Sequence, residues 1–276
     1  MTETIKADFH THTTYCDGKN SVRDMFEAAK AAGMEAIGFS GHSHTPFDES
    51  YCMSDEETKK YIDEINGLKR SNDSSTEVYL GLEKDRFSDA DDTSAFDYVI
   101  GSVHYVLKDG CYLPVDESPE LFRSNIDKYY GGDIYAFCGD YFSLAASFAG
   151  DDNVSIIGHF DLVTKFNEGN ALFDTGDKRY ISAADGALKT LADAGKILEI
   201  NTGAMSRGYR TEPYPSKEIL KKWRSLNGKI IFSGDAHSAE SLCFAFDVAR
   251  KTALECGFES AFVIRNGRFA KTPLKN

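Results

Sequence analysis

Short apolar runs alternate with longer amphipathic stretches along the whole chain. The runs Ile5–Phe9, Ala36–Ser40, Glu77–Leu82, Tyr98–Ser102, Val154–Gly158, Ile197–Ile200, Lys229–Ser233 and Ala261–Arg265 have the length and composition that predict strands. Between them, Ser21–Ala32, Ser54–Arg70, Pro119–Tyr130, Asp133–Phe148, Tyr180–Ala194, Ser216–Leu226 and Ala239–Cys256 predict helices. Ser21 and Asp24 form a capping-box pattern, and Gly33 supplies a stop. Ser54 opens the run SDEE, and the same stretch closes on Lys69 and Arg70, matching both poles of a helix dipole. The strand-then-helix unit recurs about seven times and ends on a strand. Such alternation predicts an α/β fold with a parallel sheet and helices outside it. If the sheet closes into a barrel, chemistry belongs at the C-terminal ends of the strands. An open doubly wound sheet fits the alternation equally well.

The residues just past each predicted strand share a character. The first strand is followed by His10 and His12, the second by His42 and His44, the third by Glu83 and the fourth by His104. The fifth is followed by His159 and Asp161, the sixth by Asn201 and Thr202, and the seventh by Asp235 and His237. The chain contains seven histidines, and all of them fall in these positions. In a barrel those ends converge on one axis, so residues far apart in sequence become neighbours. Imidazole and carboxylate together suit Zn, Mn or Fe and need no thiolate. In extended chain, His10 and His12 point to one side, as do Asp235 and His237. With Asp17, Glu83 and Asp235 the donors are too many for one ion, so two or three ions are implied, with Glu83 available to bridge. Adjacent cations activate water and neutralise phosphoryl charge, which makes phosphoester hydrolysis the leading reaction class. Metal-dependent amide hydrolysis or deamination is the runner-up. No P-loop, dinucleotide fingerprint or nucleophile elbow competes.

Composition narrows the partners. The 276 residues suffice for one large α/β domain, and a single unit over 1–276 is expected. The formal net charge of −13 argues against a broad nucleic-acid footprint. A small phosphorylated substrate remains compatible, because local cations override the global field. No apolar run is long enough for a transmembrane helix, and MTETIKADFH has no signal-peptide pattern. The six cysteines form no CxxC pair and read as reduced thiols of a cytoplasmic protein.

The order HxH, His42, Glu83, GSVH, GHFD and DxH resembles the PHP family of metal-dependent phosphoesterases from Asp8 to His237. The stretches GHSHTPF, GSVHYVL, GHFDLVTKF and EINTGAMSRGYRTEPYPSKEIL resemble its histidinol-phosphatase branch. The resemblance implies a distorted (β/α)7 TIM-like barrel holding three divalent or transition metal ions, Zn, Mn or Fe. It implies one ion on His10, His12, Glu83 and Asp235, a second on Glu83, His104 and His159, and a third on Asp17, His42 and His237. One departure is visible: Gly41 stands where the family often has Asp, which puts support for His42 in question.

On the substrate side, Lys165, Arg207 and Arg210 follow the fifth and sixth strands and are candidates to clamp phosphate. Asp161 and His44 are candidates to protonate the leaving alkoxide, after in-line attack by a metal-bridging hydroxide. Tyr105, Tyr209 and Tyr214, with acidic rim residues, would suit an amine and an imidazole. Three readings stay open: a histidinol-phosphatase of histidine synthesis, a phosphoesterase for another small ester such as a nucleotide, and a non-catalytic metal-binding domain.

Overall fold

A computed structural model describes residues 5–90 and 92–275. Its strands are β1 (Ala7–Asp8), β2 (Ala36–Phe39), β3 (Glu77–Asp85), β4 (Tyr98–Ser102), β5 (Tyr105–Lys108), β6 (Cys111–Pro114), β7 (Ile156–Ile157), β8 (Ile197–Asn201), β9 (Lys229–Ser233), β10 (Ser260–Arg265) and β11 (Arg268–Pro273). Its α-helices are α1 (Val22–Ala31), α2 (Asp55–Ser71), α3 (Pro119–Tyr130), α4 (Ile134–Ser147), α5 (Lys178–Asp193), α6 (Gly203–Ser206), α7 (Lys217–Ser225) and α8 (Phe246–Glu255).

Seven strands, β1, β2, β3, β4, β7, β8 and β9, pair parallel in that order. The ring closes just above β1 and β9, where Thr11 bridges Ala236. There His12 N–H donates to Ala236 O at 2.9 Å, and Ala236 N–H donates to His10 O at 3.0 Å. β10 pairs with β9 lower down, through Phe262 and Ile231, and carries β11 antiparallel on its far side. The result is a distorted (β/α)7 barrel with a two-strand extension.

Local sequence explains the helices. Ser21 Oγ accepts the Asp24 N–H at 3.1 Å while Asp24 Oδ2 accepts the Ser21 N–H at 3.3 Å, completing the capping box. The buried face of α1, Val22, Met25, Phe26 and Ala29, has helical spacing. It packs with Tyr61 and Ile65 of α2 on the outward residues Ile37, Phe39, Val78, Leu80 and Leu82 of β2 and β3. The opposite face of β3, Tyr79, Gly81, Glu83 and Asp85, turns inward by strand alternation. Tyr98 fills the space beneath the rim. A Cβ at Gly81 would lie 2.2 Å from its ring, and one at Gly38 2.3 Å from its hydroxyl. Only glycine admits that approach.

The elements differ from the sequence reading in several places, the short helix α6 among them. The hairpin of β5 and β6 and the last strand β11 are additional. The helix expected from Ala239 begins only at Phe246. Cys243 N–H is tied to Asp8 Oδ2 at 3.0 Å, and Thr202 Oγ1 donates to Phe244 O at 2.7 Å. Those ties accompany positive φ angles of 53° at both Cys243 and Ala245, which interrupt a helix. Among the described residues no helix is long and apolar enough to cross a membrane.

Candidate metal centre

Sheet register delivers the rim residues. His10 and His12 leave β1 on one side, with ring centroids 5.2 Å apart, while Thr11 between them donates to Gly38 O at 2.9 Å. The pairing of β2 with β3 continues past Phe39, so His42 and Glu83 are cross-strand neighbours. Asp235 sits in the left-handed region at φ 47°, an uncommon conformation for a residue with a side chain. A Cβ at Gly203 would lie 2.6 Å from Asp235 Oδ2, so glycine there makes room for the carboxylate.

Glu83 is the centre of the arrangement. Its Oε2 is 3.1 Å from His10 Nε2, 3.5 Å from His12 Nε2 and 3.0 Å from His42 Nδ1. Its Oε1 is 3.0 Å from His159 Nε2 and 3.5 Å from His104 Nε2. Asp235 Oδ1 lies 3.4 Å from His12 Nε2 and 3.9 Å from His10 Nε2. Asp17 reaches His237 Nε2 at 3.1 Å, His12 Nδ1 at 3.6 Å and His42 Nε2 at 3.7 Å. Three donor groups emerge: His10, His12 and Glu83; His42, Glu83 and His104; and His12, Asp17, His42 and His237. They differ from the expected partition in two respects: His12 and His42 each stand between two groups, and Asp235 and His159 fall in none of the three.

These residues fit metal ions. His10 Nε2, His12 Nε2, His42 Nδ1 and Glu83 Oε2 are buried and have no hydrogen-bond partner. Leaving one such group unsatisfied costs about 1–3 kcal/mol. A cation among them satisfies all of them together, and the imidazole and carboxylate chemistry suits Zn, Mn or Fe. Burial opposes ionisation of Glu83, yet the His10 and His42 imidazoles hold its carboxyl well below the usual range. Burial, then the neighbouring His237 and His42, push His12 down to about 3, leaving its ring neutral.

Behind the donors stand carboxylates that the strand-end reading passed over. Asp85 Oδ2 accepts both the backbone N–H and the Nδ1–H of His104 at 3.1 Å. Asp8 accepts N–H groups from His10, Gly234 and Cys243, fastening β1 to the turn that carries Asp235. Glu199 faces inward from β8 against His10. The available signal was alternation: Asp85 shares a face with Glu83, and Glu199 interrupts the apolar run ILEIN.

The donors open onto a cleft of about 360 Å³. Lys165 and Arg207 line it, as do Asp48, Tyr51, Tyr105, Asp116, Glu117 and Tyr209. Lys165 Nζ is held by Asp116, 2.8 Å from its carbonyl and 3.1 Å from Oδ2. Arg207 Nη2 donates to Asp235 Oδ2 at 3.1 Å.

Three expected residues are not brought to this cleft. Arg210 donates to Thr164 O and Oγ1 at 3.2 and 2.6 Å and lies over the Tyr214 ring. Asp161 is fully buried and accepts the Ser216 N–H at 3.0 Å; burial pushes its carboxyl up. His44 turns outward to Asp89, with Nδ1 3.0 Å from Oδ1. Tyr214 is likewise buried rather than on the rim. At Gly41 the side-chain space is filled by Met53 and Cys16, whose Sγ lies 3.5 Å from His12 Nδ1.

A barrel whose rim gathers imidazoles and carboxylates around one buried glutamate defines a metal-binding protein of the TIM-like class. The chain belongs to the PHP domain family, whose profile matches residues 8–203. It is similar to the histidinol-phosphatase of Bacillus subtilis, 28% identical over 267 residues, covering 88% of this chain and 97% of the relative. It is also similar to the histidinol-phosphatase of Lactococcus lactis, 27% identical over 266 residues, covering 92% of each. Among solved structures it resembles the Lactococcus lactis histidinol phosphate phosphatase complexed with zinc, L-histidinol and phosphate. That match has a TM-score of 0.73 at 22% identity, covering 98% of this chain and 100% of the other. At that identity the structural likeness establishes a shared barrel.

Proposed function

We propose that this chain is a metal-dependent phosphomonoesterase that hydrolyses L-histidinol phosphate to L-histidinol and inorganic phosphate. In this reading it acts as one barrel unit, in the cytoplasm, in histidine synthesis. The observation that carries the chemistry is Glu83, whose two oxygens face separate sets of imidazole nitrogens at the floor of a cleft. The relatives from Bacillus subtilis and Lactococcus lactis, which bear the name histidinol-phosphatase, support the choice of substrate.

His10, His12, Glu83 and Asp235 would hold one ion, Glu83, His104 and His159 a second, and Asp17, His42 and His237 a third. Bound there, divalent cations supply Lewis-acid neutralisation of phosphoryl charge and lower the pKa of water. Lys165 and Arg207 line the same cleft and bind the phosphate oxygens, Arg207 as a planar fork already oriented by Asp235. Asp116 keeps Lys165 extended along the wall. On that wall, Asp48, Asp116 and Glu117 with Tyr51, Tyr105 and Tyr209 suit a small substrate carrying an amine and an imidazole. They suit a polyanionic nucleotide less well. Asp161 and His44 lie off the cleft wall and are assigned no part in this reading.

The test is turnover of L-histidinol phosphate against a panel of phosphomonoesters, on protein whose metal content has been counted. Strong preference for histidinol phosphate with about three ions per chain supports the reading. Better turnover of nucleotides or another ester keeps the mechanism and replaces the substrate. Metal without turnover of any phosphoester contradicts the assignment as an enzyme.

A further inference from the structure

Glu199 lies outside the proposed ligand set, yet its carboxylate is fully engaged. The residue is in β8 with 0% exposure. Its Oε1 is 2.7 Å from His10 Nδ1. Its Oε2 accepts the His159 backbone N–H and an Asn201 Nδ2–H, both at 3.1 Å. The Asn201 amide is itself oriented, since its Oδ1 accepts the Gly203 N–H at 2.9 Å. Three donors thus converge on one carboxylate, and a carboxylate in that setting only accepts.

The consequence falls on His10. Its Nδ1 must carry the proton that Glu199 receives. With the proton there, Nε2 of the neutral ring keeps its lone pair. That Nε2 is buried, lacks a hydrogen-bond partner and faces Glu83 Oε2 at 3.1 Å. The second oxygen of Glu199 fixes the backbone of His159, whose Nε2 faces the other oxygen of Glu83 at 3.0 Å.

We infer that Glu199 is a positioning residue that fixes the Nδ1–H tautomer of His10 and, through the His159 amide, sets the two donor groups on either side of Glu83 in register. It is fully buried and does not line the cleft. The inference rests on the proposed reading that His10 and His159 serve two different ions. It also explains why a carboxylate is needed in an apolar strand. The substitution Glu199→Gln keeps the shape but turns one oxygen into an NH2 group, so that a donor faces a donor at His10 or at the His159 and Asn201 amides. Partners behind a ligating histidine typically contribute 10–100-fold to metal affinity.

The experiment compares wild type with Glu199→Gln after zinc loading. Zinc per chain is counted after dialysis, and affinity is measured by chelator competition. The variant is expected to bind its weakest zinc about 10–100-fold less tightly than wild type does. A second measurement needs no variant: imidazole 15N–1H correlation spectra of the zinc-loaded wild type, expected to place the His10 proton on Nδ1 alone. Unchanged zinc affinity in the variant, or a His10 proton on Nε2, overturns the inference while leaving the phosphatase reading intact. A wild type that binds no zinc or other divalent metal overturns both. If the variant does not fold, the wild-type spectrum decides.

Discussion

The donors seated at strand ends and the polar residues farther out on the rim loops are held by different forces. His10, His12, His42, Glu83, Asp235 and their partners take their positions from sheet pairing, through the Thr11–Ala236 and His42–Glu83 bridges. Alternation then dictates which side chains face inward. Lys165, Arg207, Arg210, Asp161 and His44 lie on irregular or short helical segments. There each goes where a local partner takes it: Lys165 to Asp116, Arg207 to Asp235, Arg210 to Thr164, Asp161 to Ser216 and His44 to Asp89. A hydrogen-bonded ladder makes a side chain's direction predictable from sequence position, whereas a loop does not.

The largest effect is expected where the strand-end set is disturbed at its centre. Glu83→Gln retains size but loses the charge facing five imidazoles. It is expected to lower kcat/KM on the order of 10³-fold or more and to reduce bound metal, measured by steady-state kinetics with elemental analysis. Full rate with full metal content would show that Glu83 does not bridge.

Next comes the barrel interior that seats the strand ends. Tyr98 packs against Gly38 and Gly81, and its hydroxyl donates to Phe9 O at 2.5 Å. Tyr98→Ala leaves a cavity there and is expected to cost about 3–5 kcal/mol, measured by urea denaturation. A loss below about 1 kcal/mol would mean that Tyr98 does not brace those strands.

Arg207 tests the loop side. Arg207→Ala removes both the proposed phosphate fork and the partner of Asp235, with an expected loss of about 10²-fold in kcat/KM. If the loss is confined to metal content, Arg207 serves Asp235 and not phosphate. His44 gives the smallest effect. Because it points outward to Asp89, His44→Gln should change activity within about twofold and stability by about 0.5 kcal/mol or less. A large loss of kcat would return it to the catalytic machinery.

The same division explains what could be read from the sequence. The rim was legible because six of the first seven apolar runs are followed by a His, Asp or Glu, whereas the closed barrel followed only from the family resemblance. The parallel sheet, the extents of β4, β9 and α3, and the capping box of α1 followed from local pattern alone. The β5–β6 hairpin escaped because its strands follow GSVH with no helix between. The interruption before α8 escaped because it depends on Asp8, more than two hundred residues earlier in the chain. Glu199 and Asp85 escaped for a different reason. Glu199 lies inside its apolar run, and Asp85 lies two residues beyond Glu83 on the same face of β3.

Whether the strand ends convergent on Glu83 hold a metal cluster is read directly by anomalous diffraction from metal-loaded crystals. The prediction is three peaks at the rim, two of them flanking Glu83 and the third between Asp17, His42 and His237. Peaks elsewhere, or none with the metal in excess, would contradict it.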